Sequence, residues 1–123
     1  MGRRNVLFDT NILIDYLSGV PQARLEIERY PQRAISTITW MEVMAGTTAK
    51  DEKQIRAFLL NFSVLPVIAE VAERAFVLRR QRKIKLPDAI IQASAQEEDR
   101  LLITRNTRDF PGQDPDVRIP YRL

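Results

Sequence analysis

The stretch Asn5-Val6-Leu7-Phe8-Asp9-Thr10-Asn11-Ile12-Leu13-Ile14-Asp15-Tyr16-Leu17 decides the reading of this chain. Val6, Leu7 and Phe8 form a short apolar run that stops at Asp9, and the small residues Thr10 and Asn11 follow. Ile12, Leu13, Tyr16 and Leu17 then recur at helical spacing. This pattern predicts a buried strand that breaks into a helix, with a carboxylate at the break. In an open α/β sheet the carboxyl ends of the strands are where ligands bind. Asp9 is therefore the first candidate for chemistry, and other candidates are judged by whether they reach it.

Working outward, Gly19-Val20-Pro21 breaks the chain, and Ala23, Ile27 and Tyr30 mark a second helix ending near Pro31. Ala34 to Ile38 reads as a strand, and Thr39 as the N-cap of a short helix from Trp40 to Ala45. Ile55, Phe58, Leu59 and Phe62 lie on one face of an amphipathic helix. Val64 to Ile68, interrupted by Pro66, reads as a short edge strand. A long helix is expected over Ala69 to Arg82. Another opens with Pro87 at its first position and runs to about Glu98. Leu101 to Ile103 is a buried strand, and Val117 to Ile119 a last one. Strands alternating with helices predict an α/β fold with a parallel sheet covered on both faces.

The 123 residues suit a single domain over 1–123. A formal net charge of +3 permits an anionic partner such as nucleic acid without requiring one. With no Cys and no His, thiol nucleophiles, Ser-His-Asp triads and imidazole-ligated zinc are excluded. Any metal must sit on oxygen, which favours Mg²⁺ or Mn²⁺. The lack of Cys fits a reducing cytoplasm. No segment is long and apolar enough to span a membrane. The basic N-terminus reaches Asp9 after only three apolar residues, which is not the pattern of a signal peptide.

Three acids stand at strategic points, and each has an ordinary explanation. Asp9 can cap the helix after it. Glu42 completes the capping-box pattern Thr39-Trp40-Met41-Glu42. Asp88 lies in a first turn, where negative charge suits the helix dipole. Jointly they ask for more. In a parallel α/β layout, strand ends and helix starts share one edge. Three carboxylates gathered there repel one another and stay ionised together most easily around a cation.

Four blocks carry a family likeness: Asp9 to Asp15, Ser36 to Glu42, Leu86-Pro87-Asp88-Ala89-Ile90-Ile91, and Leu102-Ile103-Thr104-Arg105-Asn106-Thr107-Arg108-Asp109-Phe110. In this order and nearly end to end, they resemble a PIN domain, and more narrowly the VapC-type ribonuclease toxins of toxin–antitoxin pairs. The resemblance implies a three-layer α/β/α sandwich around a parallel sheet, and an Mg²⁺- or Mn²⁺-dependent endoribonuclease acting on RNA. It implies catalytic positions at Asp9, Glu42, Asp88 and Asn106. Asp9 and Asp88 are then direct metal ligands, and Glu42 either binds metal or positions water. Some relatives carry an acid where this chain has Asn106 and others use the later acid, here Asp109; Thr104 belongs to the same block. The family also implies a homodimer and a VapB-type antitoxin as partners, with the apolar faces of 55–62 and 69–78 available to meet them.

Water activated by such a metal, attacking in line, would leave a 5′-phosphate and a 3′-hydroxyl. Arg105, beside Asn106, and Arg82 and Lys83, in the basic run 79–85, are the cations expected to meet the RNA backbone. The ordinary reading of that run is charge placed at a helix C-terminus. Trp40 reads as core. Two rivals remain. A haloacid-dehalogenase-type phosphatase needs a second Asp two residues after the first, and this chain has Asn11 there. A PIN-like module that binds RNA or protein without cleaving it would not need Asp9, Glu42 and Asp88 together.

Overall fold

Val6, Leu7 and Phe8 are wholly buried, and their alternating side chains enter two different cores. In the computed structural model, which describes residues 5–123, this run is β1 (Val6–Phe8) and α1 (Thr10–Leu17) follows directly. Residues 1–4, which include the basic Arg3 and Arg4 of the signal-peptide argument, lie outside the described residues. The chain continues through α2 (Pro21–Glu28), β2 (Arg33–Ser36), α3 (Thr37–Ala45), α4 (Glu52–Leu59) and β3 (Ser63–Leu65). It ends through α5 (Ala69–Arg82), α6 (Leu86–Glu97), β4 (Leu101–Ile103) and β5 (Val117–Arg118).

Among the described residues the strands form one parallel sheet in the order β3-β2-β1-β4-β5. Val6, Phe8, Ile35 and Ile103 face one side. There they meet Ile12 and Leu13 of α1, Ala23 and Ile27 of α2, Val43 of α3 and Leu59 of α4. Leu7, Leu102 and Val117 face the other side and meet Ile91 and Ala95 of α6. The far side of α6 packs on α5 through Val71, Ala75, Leu78, Ala89 and Ala93. These are the layers of a three-layer α/β/α sandwich. The strand order reverses between β1 and β4, so their carboxyl ends flank the crevice where such sheets bind ligands.

Several boundaries differ from the sequence expectation, each for a local reason. β2 ends at Ser36, not Ile38, because the Ser36 hydroxyl accepts the Ile38 N–H at 3.1 Å and caps α3 there. Thr39 is thus no N-cap but a buried residue inside α3. β3 stops at Leu65, since Pro66 has no N–H to continue the ladder. Pro87 occupies the second rather than the first helical position, behind an N-cap at Lys85. α5 closes at Lys83, whose φ of 56° turns the chain through the left-handed region.

Candidate active site

Asp9 ends β1 at the reversal of strand order, and its backbone N–H still donates to Ile103 O of β4 at 2.9 Å. Its side chain is buried and fully engaged. Oδ1 accepts the Thr10 N–H at 2.7 Å; Oδ2 accepts the Thr104 hydroxyl at 2.7 Å and the Asn11 amide at 3.3 Å. The capping role is real, then, but it uses only one oxygen. Burial pushes the Asp9 carboxyl up to about 6; the bonds from Thr104 and Thr10 oppose that rise, and the charges of Asp88 and Glu42 add to it.

Glu42 lies outside the capping box the sequence suggested. With Ser36 as N-cap, Glu42 sits well inside α3, and its Oε1 accepts the Thr10 hydroxyl at 2.7 Å. That hydroxyl is also 2.9 Å from the buried Thr39 hydroxyl, so the DTN turn and α3 are tied together behind Glu42. Asp88, in the first turn of α6, is half-buried. Burial raises its carboxyl above the usual range. The neighbouring Asp109 and Glu42 raise it further, while Lys85 draws it down.

Asp9, Glu42, Asp88 and Asn106 line one open depression of about 330 Å³ with Thr10, Asn11, Ile14 and Arg105. Thr104 lies buried beneath it against Asp9. Asp109 lies close enough to Asp88 for its charge to raise the Asp88 carboxyl. Asn106 is largely occupied by its own loop: its Nδ2 donates to Asp109 Oδ2 at 2.9 Å, and its Oδ1 accepts the Asp109 N–H at 3.2 Å. The fourth carboxylate near the depression is thus that of Asp109, and Asn106 holds it.

The basic candidates are rearranged. Arg105 borders the depression, but its guanidinium is paired with the buried Asp15, Nε to Oδ2 at 2.6 Å and Nη2 to Oδ1 at 2.8 Å. Tyr121 also donates to Asp15 Oδ2, at 2.8 Å. Arg105 is thereby a strut holding the 104–110 loop to α1 and the C-terminal tail. Arg82 also points inward, donating to Gln92 and to the Asp109 carbonyl. Lys83 is exposed at the end of α5. The cation of the run that acts on the acids is Lys85, through Asp88.

Sequence reasoning passed over Thr10, Asn11 and Asp15 as site-builders. Asp15 carried a readable signal, a charge on the apolar flank of α1 between Leu13 and Tyr16, which requires a buried partner. Trp40 packs partly buried against the core, as expected.

The donor set suits a hard cation. It consists of oxygen and amide groups only, and the carboxyls of Asp9 and Asp88 are raised by burial and by mutual repulsion, which a positive ion would relieve. Among the described residues, no three acidic side chains stand close enough to form a finished cage. An ion such as Mg²⁺, which takes one or two carboxylates and keeps several waters, does not require one.

The PIN domain family matches residues 6–112. Ribonuclease VapC10 of Mycobacterium tuberculosis is 32% identical over 114 residues, covering 86% of each chain. Ribonuclease VapC19 of the same organism is 31% identical over 124 residues, covering 94% of this chain and 98% of the relative. Among solved structures, a chain of a toxin–antitoxin complex from Klebsiella pneumoniae is 50% identical. It superposes with a TM-score of 0.89 over 97% of this chain and 100% of that one.

Proposed function

This chain belongs to the PIN domain family, and from that premise we propose that it is the ribonuclease toxin of a toxin–antitoxin pair. As a single domain over 1–123, it cuts RNA internally, as an endoribonuclease, with Mg²⁺ or Mn²⁺. One observation carries the chemical part. At the reversal of strand order, Asp9 and Asp88 line one depression, and burial together with neighbouring negative charge holds both carboxyls above their ordinary range. Such a cluster favours occupation by a divalent ion at neutral pH.

Asp9 and Asp88 would hold the ion, with Asp109 beside Asp88. When bound, the ion would polarise a phosphodiester and lower the pKa of water. The chain's own residues prepare the rest. Thr104 and Asn11 fix the Asp9 carboxylate in one orientation, and Thr10 does the same for Glu42. With Oε1 held by Thr10, Glu42 Oε2 remains free of a protein hydrogen bond among the described residues and can accept a proton from water. Lys85 offers a positive charge next to Asp88, where an incoming phosphate would need it. Transfer to the 2′-hydroxyl by imidazole acid–base chemistry has no residue to perform it, since the chain contains no His.

An antitoxin partner of VapB type and self-association are part of the proposal; the Klebsiella pneumoniae likeness supports the antitoxin, and exposed apolar side chains offer surface for either. Leu60 at the end of α4, and Phe76 and Val77 on α5, are exposed, while Leu59, Phe62, Val71, Ala75 and Leu78 go into the core. No helix of the described residues is long and apolar enough to cross a membrane, and an RNA substrate fits action in the cytoplasm.

The test is to map cleavage ends on total cellular RNA incubated with the protein and Mg²⁺, with EDTA, or with Asp88→Asn. New 5′-phosphate ends are expected with the wild type and Mg²⁺. Both EDTA and the substitution should lower the rate by about 10²-fold or more. Equal inertness of wild type and variant would instead favour a binding module that has lost cleavage.

A further inference from the structure

Arg82 is the last residue of α5 and sits in a basic run whose ordinary meaning is a solvated helix end. Its side chain does something else. One terminal nitrogen donates to the Oε1 of Gln92, a buried residue on α6, and the other donates to the carbonyl of Asp109. The guanidinium also lies 5.5 Å from the centre of the Phe110 ring, and Phe110 is wholly buried. One group thus joins α5, α6 and the loop after β4 at the residue that faces Asp88.

The segment it holds contains little regular structure. Between Ile103 and Val117 the chain has no helix or strand, so its shape depends on such contacts. Asn106 binds Asp109 from within the loop, and Arg105 ties the loop's near end to Asp15. Arg82 grips its middle, at Asp109 and Phe110. A Lys in its place could meet one of the two acceptors but has no planar fork to span both, nor a flat face for Phe110.

We propose that Arg82 is a positioning residue for the active site: it acts through the backbone of Asp109 to hold that carboxylate against Asp88, and so tightens the site's grip on a divalent cation. The inference rests on the reading of Asp9, Asp88 and Asp109 as a cation site. It departs from the expectation that Arg82 meets RNA directly.

The test compares wild type, Arg82→Met, Arg82→Lys, Asp109→Asn and the double variant Arg82→Met/Asp109→Asn. Mn²⁺ binding to the protein alone is read from the EPR signal of the free ion, and kcat and KM are measured on a quenched fluorescent RNA pool. Removing a group that orients a metal ligand commonly weakens metal affinity by about 10- to 100-fold. The expected result for Arg82→Met is an Mn²⁺ affinity lower by about tenfold, a kcat lower at sub-saturating Mn²⁺, and a KM for RNA within about twofold of wild type. Arg82→Lys should not restore the affinity. In the Asp109→Asn background, Arg82→Met should change it little further.

A raised KM with Mn²⁺ affinity intact would make Arg82 a phosphate contact and overturn the proposal. Full rescue by Arg82→Lys, or equal losses with and without Asp109, would overturn it as well. Should Arg82→Met not melt cooperatively, Gln92→Met removes one of the two anchors instead. It should lower Mn²⁺ affinity in the same direction, and an unchanged affinity would sink the idea. Mn²⁺ uptake by a wild type that cleaves no RNA strikes the ribonuclease reading and leaves Arg82 to be decided by the Mn²⁺ comparison. A wild type that takes up no Mn²⁺ overturns the positioning role, because Asp109 then has no ion to serve.

Discussion

Replacing Asp9 by Asn removes a carboxylate that the fold holds in an unfavourable state. Burial lifts the folded carboxyl from 3.8 to about 6. The folded protein therefore keeps this proton over a range where the unfolded chain has lost it. Its contribution to stability is complete below pH 3.8 and disappears as pH rises through about 6. The shift is about 2 pH units, and at ~1.4 kcal/mol per unit the ionised Asp9 costs the apo protein about 3 kcal/mol at neutral pH. Asn introduces no charge, but with its carbonyl oxygen kept on Thr104 and Asn11 its amide nitrogen would oppose the Thr10 N–H and lose one acceptor contact, a loss of about 1 kcal/mol. The net expectation near pH 7.5, in EDTA, is that the variant is more stable by about 2 kcal/mol, with a melting temperature higher by roughly 8 °C. Near pH 4.5 the Asp9 carboxyl is mostly protonated in the folded wild type, the penalty falls to about 1 kcal/mol, and the advantage should vanish. Millimolar Mg²⁺ should stabilise the wild type and leave the variant nearly unmoved, so the gap narrows. Thermal melts at the two pH values, with and without Mg²⁺, make the comparison. An Asp9→Asn protein less stable than wild type at neutral pH, or equally favoured at both pH values, would refute the reasoning.

Asp15→Ala leaves Arg105 without its bidentate partner and Tyr121 without its acceptor; a loss of about 3 kcal/mol is expected in urea unfolding at neutral pH. Thr10→Val removes the hydrogen bond that orients Glu42. It should lower kcat by about tenfold on the same RNA pool and, by leaving the buried Thr39 hydroxyl without its partner, lower stability by about 1 kcal/mol in urea unfolding. Lys85→Ala should raise KM several-fold on the quenched fluorescent RNA pool; it should also reduce the salt dependence of binding by about one unit in log–log slope, read by fluorescence anisotropy of labelled RNA on the uncleaving Asp88→Asn background.

The parts of this molecule that the sequence made legible are those fixed by periodicity and local chemistry. Val6 to Phe8 ending in Asp9 was readable as a buried strand and its break, since a continuous apolar run followed by a carboxylate has few other uses. The succession of strands and helices along the chain was readable from periodicity, and the meeting of Asp9, Glu42 and Asp88 along one edge followed from right-handed connection of parallel strands. Glu42 shows where local rules mislead. Thr39 and Glu42 have the spacing of a capping box, but Ser36 competes for the cap and wins by three residues, which turns Glu42 toward Thr10.

The segment from Thr104 to Asp116 was least legible, for a physical reason. It has no hydrophobic period to read, and its shape is set by partners distant in sequence, with Asp15 holding Arg105 and Arg82 holding Asp109. Sequence shows that an arginine is present but not what its guanidinium faces. Arg82 and Arg105 therefore looked like cations offered to RNA, although each is occupied inside the protein. Because both struts converge on the one irregular loop that borders the acids, positive charge near this site serves first to shape it. Lys83 and Lys85 have no such internal partner among the described residues; of the two, Lys85 acts on Asp88, and its substitution should thus act on KM where those of Arg82 and Thr10 act on kcat.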